Sequence, residues 1–167
     1  MLFRIYLQNI DKKFDFIFLD LTLNFSNDII KTLNFYEAIL NKSGVFIANI
    51  LGGKTLCEFS SIMMEVDLLE NRMVPRILPK LSSEGLLNLA KSSNFKNTTV
   101  MSNEFIEKYI TLKDLINSLN EIGHIYPMIQ PNQPYTTRKY WELVEEKYKD
   151  HYQLQASFEI LTLFAVK

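Results

Sequence analysis

Two short apolar runs separated by a helical pattern constrain the fold of this chain more than any other feature. Residues 14–21 are almost uninterrupted apolar residues flanked by aspartates, which predicts a parallel strand buried on both faces. Asn27 and Asp28 then predict the cap of a helix. After a break at residues 41–44, residues 45–51 supply a second buried strand. This order predicts a right-handed βαβ unit and therefore an α/β fold. The apolar residues of the helix recur at three- and four-residue spacing and are Ile29, Leu33, Tyr36 and Leu40.

The rest of the chain continues to alternate between helical and extended patterns. Met63 and Met64 lie in the first of these further helices and are predicted to fill gaps in the core. The predicted elements are, in order, a helix after Gly52 and Gly53, a short helix from Ser82 to about Asn94, an extended segment at residues 98–110, a helix opened by Thr111 with Asp114 as its capping partner, a charged helix at residues 138–150 and a closing strand at residues 156–166.

Composition and charge exclude several classes of site and partner. With 167 residues, 47% of them hydrophobic and 22% charged, the chain is predicted to form a single domain over residues 1–167. Eighteen Lys and Arg against nineteen Asp and Glu give a net charge of −1, so we predict no nucleic-acid partner. Cys57 is the single cysteine, which excludes an internal disulfide and a cysteine-rich zinc site. We therefore predict no metal site and a reducing, cytoplasmic location.

The apolar segments are too short to cross a membrane. Residues 1–7 carry Arg4 and run into charged residues rather than into small residues suited to signal cleavage. Residues 45–51 contain Asn49 and fall well short of the ~20 apolar residues that a span needs. We predict no membrane span.

Several residues suggest a function, and each also has a structural interpretation. Gly52 and Gly53 follow a strand and open a helix, as in a phosphate-binding loop, but further glycines are lacking and a tight turn is the alternative. Lys54 is either an attachment point for an anionic substrate or a solvated side chain. His124 has no partner visible in the sequence, and a general base is its functional hypothesis. We identify no catalytic residue. An aromatic set is predicted to pack in the core or an interface and comprises Tyr140, Trp141, Tyr148 and Tyr152.

Three local patterns, in order along the chain, resemble one protein family. The first is Thr-Leu-Asn-Phe-Ser-Asn-Asp at residues 22–28, where relatives have a His-Trp pair before a similar Asn-Asp. The second, at residues 44–56, is Gly-Val-Phe-Ile followed by Leu-Gly-Gly-Lys-Thr-Leu. The third is Pro-Arg-Ile-Leu-Pro at residues 75–79, followed by a helix and Phe95. Together they resemble the C-terminal part of class I S-adenosylmethionine-dependent methyltransferases, of the type 11 or malonyl-carrier-protein methyltransferase kind. The closest resemblance is to the branch that contains the respiratory complex I assembly factor.

The resemblance implies an incomplete Rossmann-like fold of the seven-strand methyltransferase type, with a mixed sheet whose last strand is antiparallel. Residues 14–21 would be the fourth strand of that fold, residues 45–51 the fifth and residues 156–166 the seventh. The GxGxG turn and the acidic residue that hold S-adenosylmethionine in the family match no position of this sequence. We therefore expect the N-terminal cofactor-binding strands to be missing, and we do not expect the chain to bind the cofactor alone.

Asn24 and Phe25 are the candidates for lining a cofactor or substrate crevice. They follow the first predicted strand, and ligands of open α/β sheets bind at the carboxyl ends of strands. The alternative is that Asn24 caps a helix and Phe25 is a packed ring.

Loss of the first three strands would leave an exposed edge on the fourth. Residues 3–7 folding back as a strand, a second copy forming a homodimer, or a complementary polypeptide carrying the missing half would each cover it. Two functional hypotheses follow. The chain is part of a methyltransferase that needs its other half, or it is a non-catalytic methyltransferase-like interaction or assembly protein. The sequence assigns neither the substrate nor the oligomeric state.

Overall fold

The chain forms alternating strands and helices. The computed structural model describes residues 12–71, 80–121 and 137–167. None of the helices in these three segments is long and apolar enough to cross a membrane. The elements are β1 (Phe14–Asp20), a 3₁₀ helix (Thr22–Phe25), α1 (Ile29–Ile39), β2 (Leu40–Leu51), α2 (Cys57–Leu69), α3 (Ser83–Lys91), β3 (Asn97–Lys108), α4 (Leu112–Glu121), α5 (Arg138–Tyr152) and β4 (Gln155–Val166).

The strands form one mixed sheet in the order β1-β2-β4-β3. β1 runs parallel to β2 and brings Asp20 opposite Asn49. β4 runs antiparallel to β2 and brings Thr162 opposite Asn49. The predicted α/β fold, the mixed sheet and the antiparallel last strand are therefore confirmed, and the seven-strand arrangement stays a prediction.

Local capping patterns place the helices where the sequence predicts them. Asp28 caps α1, because its carboxylate accepts the backbone N–H of Lys31 at 2.9 Å. Ser82 caps α3 in the same way. At the start of α4, the Thr111 N–H donates to the Asp114 carboxylate at 2.9 Å and the Asp114 N–H donates to the Thr111 hydroxyl at 3.2 Å. The capping box predicted from these two residues is confirmed.

The structure differs from the prediction at the start of the second strand. β2 begins at Leu40 rather than at residue 45, and α1 ends at Ile39. Ser43 adopts a left-handed backbone conformation with φ of 64°. The register with β1 also shifts between Phe14 and Phe16. An irregular segment of this kind resembles a loop in sequence, yet it pairs as part of the strand.

The chain packs as two compact units, and the boundary between them falls within β3 and β4. In the described chain the first unit comprises residues 12–53, 81–103 and 159–167. Its core lies on the sheet face packed by α1 and α3, and the rings of Tyr36 and Phe95 lie 5.5 and 5.4 Å from the ring of Phe46. The buried residues of this core are Leu23, Leu33, Leu40, Phe46, Ala48, Ile50, Leu86, Ala90, Phe95, Leu161, Leu163 and Ala165.

The second unit comprises residues 54–71, 80, 104–121 and 137–158 of the described chain, and α2 packs on α5 within it. The Tyr148 ring lies 5.6 Å from that of Phe59, and the Tyr140 hydroxyl donates to the Met63 carbonyl at 3.3 Å. Both tyrosines are buried, so their predicted packing role is confirmed. Met63 is buried as predicted, but the prediction for Met64 is wrong, because its side chain is 59% exposed.

β1 is exposed on one face. Ile17 and Leu19 pack against the core of the first unit, whereas Phe14, Phe16 and Phe18 are 38%, 56% and 51% exposed. The prediction of a strand buried on both faces is therefore wrong. An apolar run indicates strand formation, but it does not reveal whether both faces of the sheet are covered. The segment at residues 3–7, predicted as a covering strand, lies outside the described residues.

Candidate functional site at the carboxyl ends of two strands

The carboxyl ends of β1 and β2 lie side by side in the first unit, and polar groups gather there. Leu21 takes a left-handed conformation with φ of 52° and ends β1, while its N–H still donates to the Asn49 carbonyl at 3.0 Å. The chain then turns into the 3₁₀ helix, which buried Leu23 attaches to the core. Because ligands of open α/β sheets bind at this edge, the arrangement marks a candidate binding crevice.

Asn24 joins the two strand ends through its side chain. Its Oδ1 accepts the backbone N–H of Leu51 at 3.1 Å. Its Nδ2 is shielded from solvent and has no acceptor among the described residues. A buried donor without a partner is costly, so such groups in native proteins usually have a water, ion or ligand to bond. This N–H group of Asn24, unpaired within the described ranges, is the reason that this edge is a candidate site.

The structure places both predicted residues at this edge. Phe25 follows Asn24 in the 3₁₀ helix and is half-buried. Asp28 caps α1, so Asn24 does not cap that helix. The part of the two residues in ligand binding stays a prediction.

A row of polar side chains crosses the sheet beside Asn24, and the sequence analysis did not identify it as a site. The Asn49 Nδ2 donates to the Asp20 carboxylate at 3.1 Å, and the Thr162 hydroxyl donates to the Asn49 Oδ1 at 2.8 Å. One side chain from each of β1, β2 and β4 thus forms a continuous chain of hydrogen bonds. The available signal was Asn49 itself, a polar residue inside an otherwise apolar strand.

Gly52 lies in a tight turn that leaves room for a buried carboxylate. Its N–H donates to the Glu159 carbonyl at 2.8 Å, and the Glu159 carboxylate accepts the Ser102 hydroxyl at 2.8 Å. A Cβ at position 52 would overlap that carboxylate, and the Glu159 residue is only 5% exposed. The glycine is thus required by close packing, which supports the tight-turn interpretation and not a phosphate-binding loop.

The remaining candidates lie in the second unit or outside the described residues. Lys54 forms an ion pair with Glu104, and its side chain is 62% exposed. Burial lowers the pKa of Lys80 to about 8, and its Nζ donates to the Thr55 carbonyl at 3.3 Å. His124 and the pattern at residues 75–79 lie outside the described residues. No group of three or more side chains that could hold a metal ion comes together in the described part of the chain.

Comparison with known proteins adds a sequence relative. No protein-family model matches the chain. The human mitochondrial arginine-hydroxylase NDUFAF5 is 29% identical over 114 residues, which cover 68% of this chain and 33% of that protein. The zebrafish (Danio rerio) protein of the same name is 27% identical over 114 residues. The chain thus spans about a third of the length of the curated relatives that it matches.

The fold likewise matches a solved structure. A proposed methyltransferase from Bacillus halodurans C-125 superposes with a TM-score of 0.53 at 10% identity, covering 96% of this chain and 67% of that one. At that identity the match shows the fold alone. The chain is thus similar in fold to a methyltransferase and similar in sequence to part of NDUFAF5.

S-adenosylmethionine is the methyl donor of the methyltransferase family that the sequence resembles. The residues described above at the ends of β1 and β2 form the candidate site of the first unit.

Proposed function

We propose that this chain is part of an S-adenosylmethionine-dependent methyltransferase and that its first unit supplies one wall of the methyl-donor site. The observation that carries the proposal is the Nδ2 of Asn24, a buried donor without an acceptor among the described residues, at the carboxyl end of adjacent parallel strands. The donor molecule offers carboxylate, hydroxyl and ring-nitrogen acceptors, so its chemistry matches that unused N–H group.

The fit to the methyl donor is partial. Asn24 can donate a hydrogen bond, and the Asp20 carboxylate keeps one oxygen for a hydroxyl group, since Asn49 donates to the other. The space beside Gly52 is filled by Glu159, which leaves no close approach for a ligand at that backbone. When bound, S-adenosylmethionine would supply an electrophilic methyl group, and the residues here would help to hold and orient it.

The proposal includes a requirement for further polypeptide. We expect residues 1–167 to form a single methyltransferase-like domain, and no position in them matches the cofactor-binding turn of the family. A complementary polypeptide or a homodimer would complete or cover it. We place the protein in the cytoplasm, as favoured by its single, exposed and unpaired cysteine. The human relative is by name mitochondrial.

Calorimetry tests the requirement directly. S-adenosylmethionine and S-adenosylhomocysteine are titrated into the chain alone and into the chain mixed with a polypeptide that carries the GxGxG strand of the family. We expect binding heat with the mixture and none with the isolated chain. Saturable binding by the isolated chain would overturn the requirement for further polypeptide.

A second candidate function is a non-catalytic interaction or assembly protein of methyltransferase ancestry. The exposed phenylalanines of β1 favour it, because contiguous apolar surface often marks a protein interface. This candidate is supported if the methyl donor fails to bind even when the complementary polypeptide is present.

A further inference from the structure

The edge of β1 that faces away from β2 presents hydrogen-bonding groups in a regular order, and no described strand pairs with it. Within the described ranges, β2 is the one strand that pairs with β1. The N–H of Leu21 donates to β2, so along this strand the backbone groups of odd-numbered residues face β2 and those of even-numbered residues face away. The outward-facing backbone groups therefore belong to Phe14, Phe16, Phe18 and Asp20.

The side chains of the same even-numbered series form a self-complementary pattern. Lys12 precedes β1, three exposed phenylalanines follow at alternate positions, and exposed Asp20 ends the strand. The sequence thus runs cation, ring, ring, ring, anion along one face. If a second copy of the strand runs in the opposite direction beside the first, each charge lies opposite a charge of the other sign and each ring lies opposite a ring.

The charges on the other face of the strand are already engaged within the chain. Lys13 Nζ donates to the Ala38 carbonyl at 2.5 Å, and the Asp15 carboxylate accepts from Asn41 at 2.7 Å. Lys12 makes no ion pair with the described residues. On the exposed face, Lys12 and Asp20 lie together with the rings; among the described residues the Asp20 carboxylate accepts a hydrogen bond from neutral Asn49.

We propose that two copies of this chain pair antiparallel through β1, with Phe16 of each copy at the two-fold axis. Phe14 then lies opposite Phe18 of the second copy, and Lys12 opposite Asp20. A shift of two residues in either direction would place Phe14 against Asp20 or Lys12 against Phe18, so charge and ring pairing select this register.

The dimer so formed is an eight-stranded sheet in which each copy satisfies the outward backbone groups of the other. An apolar edge strand left unpaired is a site of uncontrolled association, and symmetric pairing removes it. The dimer goes beyond the proposed function by naming the surface and the partner, and it is the alternative to a complementary polypeptide, which would pair with the same edge of β1.

Sedimentation equilibrium over a concentration series tests the dimer. The full chain is expected to approach twice the monomer mass as its concentration rises. Phe16→Lys places like charges against each other at the two-fold axis and is expected to weaken dimerisation by about tenfold or more. Met64→Lys makes the same change at another exposed apolar residue, on α2, and is expected to leave dimerisation unchanged.

A charge swap protects this test against a variant that fails to fold. Lys12 precedes the strand, so Lys12→Asp is expected to fold normally and to weaken the dimer. Adding Asp20→Lys restores opposite charges in the proposed register and is expected to recover the affinity. A chain that stays monomeric at all concentrations, or a double variant that recovers nothing, overturns the proposal.

Disulfide formation tests the register itself. In a Cys57→Ser background, Phe16→Cys brings the two introduced sulfurs together, since directly opposed residues of a hydrogen-bonded antiparallel pair have Cα atoms about 5.5 Å apart, within disulfide range. Phe14→Cys is the matched control, because position 14 lies opposite position 18 and not itself. Equal cross-linking of both variants contradicts the register.

Discussion

The substitution Gly52→Ala tests the packing at the end of β2. A Cβ at this position would lie 2.6 Å from Cδ and 2.8 Å from Cγ of Glu159, so the glutamate side chain must move. Movement breaks the bond from the Ser102 hydroxyl, and a hydrogen bond to a charged group contributes about 1.5–3 kcal/mol. Overpacking a buried site adds roughly 1–3 kcal/mol. Since relaxation reduces the sum, we expect a loss of about 3 kcal/mol in the free energy of unfolding.

Urea unfolding and thermal melting measure this effect. For a chain of this length, a loss of about 3 kcal/mol corresponds to a fall in Tm of roughly 6–12 °C. Gly85→Ala is the matched control, because position 85 lies in the first turn of α3, where a Cβ would lie a tight 3.3 Å from the Ser82 hydroxyl but 3.6 Å from Leu81, and alanine favours the helix. A shift of a few tenths of an ångström at Ser82 relieves that contact, so we expect Gly85→Ala to change stability far less than Gly52→Ala does. A Gly52→Ala protein as stable as the wild type would refute the packing argument.

Three further predictions concern single side chains. Tyr148→Phe removes a buried hydroxyl that donates to the Gln155 carbonyl at 2.6 Å, and urea unfolding should show a loss of about 1–2 kcal/mol; an unchanged midpoint would contradict the contribution of this bond. Asp28→Ala removes the cap of α1 and should lower the free energy of unfolding by about 1 kcal/mol, whereas Asn27→Ala beside it should not. Burial lowers the pKa of Lys80 to about 8, so between about pH 8 and about pH 10.4 the unfolded chain binds more protons there than the folded chain, and stability rises with pH. Lys80→Met should abolish that rise in urea titrations at the two ends of the range, and parallel pH profiles for the two proteins would contradict the assignment.

The sequence predicts the elements of this fold well because their signals are local. The cap at Asp28 and the capping box of Thr111 and Asp114 each join residues that lie three positions apart in the sequence. The alternation of strands and helices follows from hydrophobic periodicity in the same way. These local preferences agree with the final packing, so the predicted order of elements survives in the structure.

Features that depend on distant pairing could not be predicted. Thr162 bonds to Asn49 across 113 positions of sequence, and no local pattern shows that β4 would pair with β2 in that register. The exposure of the phenylalanines of β1 could not be predicted either, because an apolar sequence is the same whether its sheet face is covered or open to solvent. The sequence likewise does not show that the Glu159 side chain fills the space beside Gly52.

Substitution of Asn24 tests most directly whether the ends of β1 and β2 form a wall of the methyl-donor site. S-adenosylhomocysteine is titrated calorimetrically into the complemented protein carrying Asn24→Ala, with Asn27→Ala, an exposed asparagine of the same loop, as control. Loss of a buried hydrogen bond to the ligand predicts a weakening of roughly 5- to 30-fold for Asn24→Ala and no change for Asn27→Ala. Unaltered affinity in the Asn24→Ala protein would contradict the claim.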